Sequence, residues 1–170
     1  MRLFSLTIVF AATLLGQGGG GVQFRDWTTP AATGKPAIAC GELRSLTSFD
    51  LSVIGATVIP ASANAPEHCR VRLMVQPEIN IEVNLPTAWN GRLYMFGNGG
   101  WAGESFESAG RAATRARGVK AGFATAATDT GHSAASEPGA SFAVNRQKLL
   151  AFGFRSLHVT AEAAKLMART

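Results

Sequence analysis

Two kinds of strand pattern occur in this chain, and their order constrains the fold more than any other feature. Residues 70–75 and 79–85 alternate polar and apolar side chains, which is typical of strands with one face toward solvent. Residues 93–96 and 123–127 are continuously apolar, as in strands that are covered on both faces. A short loop through Pro77 separates the first two segments. An antiparallel pair followed by buried strands is therefore expected.

A helix is predicted between the two apolar segments. Ser105 is the expected N-cap, and Gly118 is the expected end. Three basic residues late in the segment would complement the helix dipole, namely Arg111, Arg115 and Arg117. The inward face is expected to consist of Phe106, Ala109, Ala113 and Ala116. Strand, helix and strand in this order predict a right-handed parallel crossover.

A second helical region is expected after the polar loop 133–141, with an interruption at Gly153. Its later part carries apolar residues at helical spacing: Leu157, Ala161, Ala164 and Ala168. The β-branched segment 51–59 adds one strand before the alternating pair. The predicted fold class is α/β, with antiparallel N-terminal strands followed by a parallel β-α-β crossover. Because no strand pattern follows the last helix, we expect a truncated chain with an unfinished sheet edge.

The N-terminus has the composition of a secretory signal. A charged start, Met1-Arg2, precedes an apolar stretch over 3–15 that is too short for a comfortable membrane span. We expect a signal peptide over 1–21, a flexible lead-in over 22–39 and the folded domain over 40–170. We therefore expect the protein to be secreted or periplasmic, and to have no membrane partner after the signal peptide is cleaved. An uncleaved anchor is the alternative.

Charge and cysteine content narrow the range of partners. The net charge of +5 comes from arginines that are spread along the chain, so no nucleic-acid partner is expected. The two cysteines are Cys40 and Cys69, and in an exported chain an even count favours a disulfide. Two buried free thiols are the alternative. Neither cysteine has a second ligand at metal-binding spacing, so no metal site is expected.

The glycine-rich segment 97–103 lies where a buried strand leads into a helix. Glycines let backbone N–H groups approach a ligand oxygen closely, which suits either an oxyanion hole or a phosphate site. The phosphate interpretation fits a G-x-G-x-x-A spacing, with Asp129 at the end of the next strand as a ribose-binding acid. Bulky Trp101, the antiparallel strands before the loop and the predicted export argue against it. A glycine turn that serves packing alone is the third interpretation.

Other candidate residues follow the strand 123–127. Asp129 and His132 lie at the edge where open α/β sheets place their sites, and they could act in acid–base chemistry. A structural hydrogen-bonded turn explains the aspartate equally simply and is favoured by the residues alone. Ser133 lacks the closing glycine of a G-x-S-x-G elbow, so it is a poor candidate nucleophile. His158 falls in the final helix, where a structural role is expected.

Six short blocks, in this order and spacing, resemble the tannase and feruloyl esterase family, which includes mono(hydroxyethyl) terephthalate hydrolases. The blocks are Cys69-Arg70-Val71, Leu85 to Arg92, Gly97 to Gly103, Gly122-Phe123-Ala124, Thr128 to His132, and Phe152 to His158. The similarity runs from about Cys40 to Thr170. The resemblance implies that the chain is the N-terminal part of an α/β-hydrolase-like domain, with an incomplete sheet. It also implies that the full-length protein is a secreted serine esterase that cleaves phenolic-acid esters.

The same resemblance assigns roles within the chain. A backbone N–H of Gly99 or Gly100 would face the oxyanion, and Cys40 and Cys69 would form a disulfide. The family's serine elbow, acid, histidine and calcium-binding lid all come after the last helix. The chain is therefore expected to contain no catalytic side chain and no cofactor, and to be inactive alone, while the full-length enzyme takes a small aromatic ester. A non-catalytic secreted module that binds a ligand or a partner is the alternative.

Overall fold

The computed structural model of the chain describes residues 36–170. The predicted signal peptide, 1–21, and most of the predicted lead-in, 22–39, lie outside the described residues. The strands are β1 Leu51–Ile59, β2 His68–Val75, β3 Ile79–Pro86, β4 Leu93–Met95 and β5 Ala124–Thr128. The α-helices are α1 Ala109–Lys120, α2 Arg146–Leu150 and α3 Ser156–Arg169, and short 3-10 helices span Cys40–Leu46 and Ser141–Val144.

The five strands form one mixed sheet in the order β1-β2-β3-β5-β4. β2 pairs with both β1 and β3 in antiparallel fashion, and β3 also runs antiparallel to β5. β4 and β5 are parallel and are connected through α1. The predicted α/β class is confirmed, with its antiparallel N-terminal strands and its parallel crossover.

One face of the sheet forms the apolar core. The alternation in β2 and β3 directs every second side chain to this face, because successive side chains of a strand point to opposite sides. These residues are fully buried and include Val71, Leu73, Ile81 and Val83. They pack against α3 and the first 3-10 helix through Ala164, Met167 and Leu43. Burial of each large apolar side chain contributes about 1.5–3 kcal/mol to stability.

The opposite face of the same strands is polar, and α1 covers it. Here the predicted inward face was largely wrong. Phe106 is buried as predicted, but Ala109 and Ala113 are exposed. Arg111 and Arg115 are buried instead. The reason is that β3 presents Glu82 to this helix, and a buried carboxylate requires cationic partners. The N-cap prediction was also wrong, because the helix begins after Ser108 rather than at Ser105.

The second helical region is α2 and α3, joined without a break by a π turn over Ala151–Arg155 that contains Gly153. The predicted inward face was largely wrong. Leu157 is exposed, and the buried positions are Ser156, Thr160, Ala163, Ala164 and Met167. Small residues with hydroxyl and methyl groups allow this helix to approach the sheet.

Within residues 36–170, no helix is both long enough and apolar enough to cross a membrane.

Candidate active site

The glycine loop 97–103 begins where β4 ends. The Phe96 N–H donates to the Ala126 carbonyl at 3.1 Å, which extends the pairing with β5 by one residue. Two residues later, the side-chain amide Nδ2 of Asn98 donates to the Thr128 carbonyl at 3.1 Å. In a parallel ladder a backbone N–H of alternate residues makes these bonds. At position 98 the side-chain amide makes this hydrogen bond instead of the backbone N–H. The main chain therefore no longer pairs with β5 after Phe96, and it leaves the sheet at Gly97.

The loop has an unusual backbone conformation. Gly100, Ala102 and Gly103 have positive φ angles of 53, 60 and 78°. The Ala102 N–H donates to the Gly99 carbonyl at 3.0 Å, which closes a tight turn. Gly99 and Gly100 are exposed, and neither N–H donates a hydrogen bond to any other part of residues 36–170. Two backbone donors are therefore free at the carboxyl end of a parallel strand.

The far end of the loop packs against the segment after β5. A Cβ on Gly103 would lie 2.7 Å from the Ala134 nitrogen and 2.8 Å from Nε2 of His132, so only glycine fits. The Ala134 N–H donates to the Gly103 carbonyl at 2.9 Å. The structure thus brings the predicted loop and the predicted Asp129–His132 segment into direct contact.

Asp129 shapes the turn after β5. One oxygen, Oδ1, accepts from the backbone N–H groups of Asn80 at 3.0 Å and Gly131 at 2.8 Å. The other, Oδ2, accepts from Nδ2 of Asn80 at 2.7 Å. Burial raises the pKa of Asp129, and the hydrogen bonds from Asn80 and Gly131 oppose that shift. The carboxylate stabilises a turn in which Thr130 and Gly131 have positive φ.

His132 does not form a hydrogen bond with Asp129. Its side chain is buried and stacks on Phe142 with ring centroids 3.9 Å apart. Nδ1 lies 3.3 Å from the hydroxyl of Thr130, and Nε2 has no hydrogen-bond partner among the described residues. Phe152 of the π turn packs against this ring and against Trp101 of the glycine loop. The contact between Phe142 and His132 was not predicted from the sequence.

Two clefts border these residues. One, of about 710 Å³, is lined by Gly103, Asp129, His132 and Ser133. The other, of about 590 Å³, borders the start of the glycine loop. Within the described part of the chain, no hydrogen bond joins the Ser133 hydroxyl to a histidine, and the weak candidacy of Ser133 as a nucleophile stays a prediction. His158 is exposed on α3.

A cluster of charges fastens α1 to the sheet. Arg115 Nη1 donates to Glu82 Oε1 at 2.7 Å, and Arg72 Nη2 lies 2.6 Å from Glu82 Oε2. Glu107 contacts Arg72 and lies 3.5 Å from Arg115. Partial burial alone would raise the pKa of Glu107, but the charges of Arg115, Arg70 and Arg72 hold it below its usual value. This cluster was not predicted, because the arginines of the helix have positions that also complement its dipole.

The structure joins Cys40 and Cys69 by a disulfide with a Cα–Cα distance of 5.6 Å. The bond connects the first 3-10 helix to β2. The disulfide borders a cleft of about 440 Å³ that is also lined by Trp89 and Met167, and by no residue of the glycine loop or of the Asp129–His132 turn. The absence of a cofactor stays a prediction.

The mixed sheet between α1 and α3, with a glycine loop after a parallel strand, defines an α/β-hydrolase-like domain. Solved structures have the same architecture. An esterase from Aspergillus oryzae matches 75% of this chain with a TM-score of 0.62 and 22% sequence identity. Feruloyl esterase B from Aspergillus oryzae matches 75% with a TM-score of 0.60 and 25% identity. In each case the match covers 28% of the solved chain.

Sequence comparison gives the family. The family model for tannase and feruloyl esterase matches residues 63–170, and the chain belongs to this family. An uncharacterized esterase from Xanthomonas campestris is 34% identical over 152 residues, covering 79% of this chain and 25% of the relative. An uncharacterized esterase from Agrobacterium fabrum is 29% identical over 137 residues, which cover 72% of this chain and 25% of the relative. Mono(2-hydroxyethyl) terephthalate hydrolase from Piscinibacter sakaiensis is 32% identical over 126 residues, which cover 62% of this chain and 21% of that enzyme. The chain thus spans about a quarter of these relatives.

Proposed function

We propose that the protein is a carboxylic ester hydrolase in which the loop 97–103 supplies backbone donors to the oxyanion. One observation carries the proposal. The N–H groups of Gly99 and Gly100 are exposed and make no hydrogen bond within residues 36–170, at the sheet edge where this fold class places an oxyanion donor. Membership of the tannase and feruloyl esterase family supports it.

The proposed mechanism is that of a serine esterase. A serine hydroxyl attacks the ester carbonyl, the alcohol leaves, and water hydrolyses the acyl-enzyme. The proposal places the serine, the acid and the histidine in parts of the protein other than residues 36–170. The glycine loop would donate to the negative oxygen that develops in each tetrahedral intermediate. Removal of one such donor typically raises the barrier by about 3 kcal/mol.

The proposed substrates are small esters of phenolic acids. Two of the similar proteins are a feruloyl esterase and a terephthalate ester hydrolase by name, and both names describe esters of aromatic acids. We also propose that the protein is secreted or periplasmic, which the disulfide supports because such bonds persist in oxidising compartments. Asp129 and His132 are proposed to support the loop from the neighbouring turn.

The test is ester hydrolysis by the full protein. Methyl ferulate and methyl gallate should be cleaved, and a serine reagent should abolish cleavage, whereas residues 1–170 alone should show no turnover. Gly99→Pro removes one N–H and should lower kcat by about 100-fold or more if that donor is used. Gly99→Ala is the matched control, because it keeps the N–H and its Cβ would meet no atom within 4 Å. Absence of ester hydrolysis by the full protein would overturn the proposal.

A further inference from the structure

We propose that Arg111 is a positioning residue for the glycine loop, and that it acts together with Asn98 through the carbonyl of Thr128. The catalytic consequence of this inference rests on the proposed function. The structural part, that these two side chains hold the loop in its conformation, stands independently of any reaction.

Arg111 connects the end of the loop to the end of a buried strand. Its guanidinium donates through Nη2 to the Thr128 carbonyl at 2.8 Å and through Nη1 to the Glu104 carbonyl at 3.0 Å. Thr128 is the last residue of β5, and Glu104 directly follows the loop. The residue is 8% exposed, so solvent competes little for these bonds. One buried side chain thus connects the two carbonyls.

Asn98 holds the beginning of the loop at the same point. Its side-chain amide donates to the Thr128 carbonyl at 3.1 Å, so this oxygen accepts from Asn98 and from Arg111. A carbonyl oxygen has two lone pairs and can accept both bonds. The start of the loop at Asn98 and its end near Arg111 are therefore both held by hydrogen bonds to the same oxygen, the Thr128 carbonyl.

The loop needs such constraints because its own conformation is strained. Ala102 has a φ of 60°, which a residue with a Cβ rarely adopts. Its neighbours Gly100 and Gly103 also have positive φ, and Gly99 and Gly100 are exposed and contribute no side-chain packing. Strained backbone persists only where the surrounding structure determines it. A strained loop with free donors is the geometry expected of a preorganised oxyanion site.

Arginine is the residue type that this position requires. Its planar group presents donors in a fixed fork, which lets it reach two carbonyls at once, whereas lysine presents a single ammonium. Burial lowers the pKa of Arg111, and the charges of Glu104, Glu82 and Asp129 oppose that shift. The ring of Phe106 lies 4.7 Å from the guanidinium and offers a cation–π contact. A simple packing role would not require a buried charge here.

Hydrogen–deuterium exchange of the full protein tests the structural part. The Ala102 N–H is hydrogen-bonded within the loop, and the Ala134 N–H is bonded to Gly103, so both amides report on loop order. In Arg111→Met both should exchange about tenfold faster or more, the range expected when a hydrogen bond to a charged group is lost. Arg117→Met is the matched control, because Arg117 is exposed on the same helix. Unchanged exchange, or equal acceleration throughout the sheet, would overturn the inference.

Kinetics of the full protein tests the catalytic part. Arg111→Met should lower kcat by about 100-fold with KM nearly unchanged, because misplaced donors affect the transition state. Arg111→Lys should recover part of the loss, and Asn98→Ala gives a milder second variant should Arg111→Met fold poorly. A higher KM with unchanged kcat would contradict the inference. If the wild-type protein hydrolyses no ester, the proposed function fails, while the exchange experiment still decides whether the two side chains hold the loop.

Discussion

Replacement of Gly103 by alanine measures how firmly the glycine loop is seated on the neighbouring turn. The φ of 78° at this position costs a residue with a Cβ about 1 kcal/mol. The new Cβ would lie 2.7 Å from the Ala134 nitrogen and 2.8 Å from the His132 ring, and such overpacking typically costs about 1–3 kcal/mol. Displacement of the 2.9 Å hydrogen bond from Ala134 to Gly103 adds about 1 kcal/mol. The expected loss in the free energy of unfolding is therefore about 3–5 kcal/mol.

Two other glycines separate the contributions to this loss. Gly100 also has a positive φ, but a Cβ there would meet no atom within 4 Å. Gly100→Ala should therefore cost only about 1 kcal/mol. Gly110 lies inside α1 and has free space around it, so Gly110→Ala should stabilise the protein by up to about 1 kcal/mol.

Urea-induced unfolding of the full protein, followed by tryptophan fluorescence and circular dichroism, gives the three free energies. The order of destabilisation should be Gly103, then Gly100, then Gly110. If Gly103→Ala costs no more than Gly100→Ala, the loop does not rest on Ala134 and His132 in solution, and our account of the site's rigidity is wrong.

Three further predictions concern the buried carboxylate of Glu82, the disulfide and the buried His68. Glu82→Gln should lower the free energy of unfolding by about 3–5 kcal/mol, because Arg115 is left without its buried carboxylate; a urea titration showing a loss below about 1 kcal/mol would contradict this. Cys40→Ser should cost about 3–4 kcal/mol in the same assay, since Cys69 closes a loop with a sequence separation of 29; no loss would refute it. Burial lowers the pKa of His68, so its contribution to stability is present above pH 6.5 and is lost on acidification through the lowered pKa. His68→Gln should therefore show a smaller fall in Tm between pH 7 and pH 5 than the wild type, and equal falls would refute the assignment.

Local patterns were sufficient to predict the strands. The alternation in 79–85 and the apolar run 123–127 depend only on neighbouring residues, and both segments became strands as predicted. The glycine loop was also predictable, because Gly97 to Gly103 directly follow the apolar run 93–96. The expected burial of that run on both faces was wrong for β4, which is only half-buried because it lies at the edge of the described sheet. The disulfide pair required only the count of cysteines and the expected compartment.

The burial of arginine could not be predicted from periodicity. Hydropathy favours alanine over Arg111 and Arg115 as inward residues, and only the three-dimensional position of Glu82 reverses that preference. Glu82 lies 33 residues before Arg115 in the chain. The same limit applies to Asn80, which is 49 residues from Asp129 and supplies two of the hydrogen bonds that hold its carboxylate. Neither pairing has a local signal.

The buried ion pair under α1 also bears on how the sheet finds its register. In β3, Ile81 and Val83 point to the apolar core, and Glu82 between them points to Arg115. A slip of one residue would turn every side chain of the strand to the other face. It would place a carboxylate among Val71 and Leu73 and leave Arg115 without its buried carboxylate, at a cost of several kcal/mol. We therefore expect this charge pair to exclude misregistered sheets during folding, in addition to holding the helix.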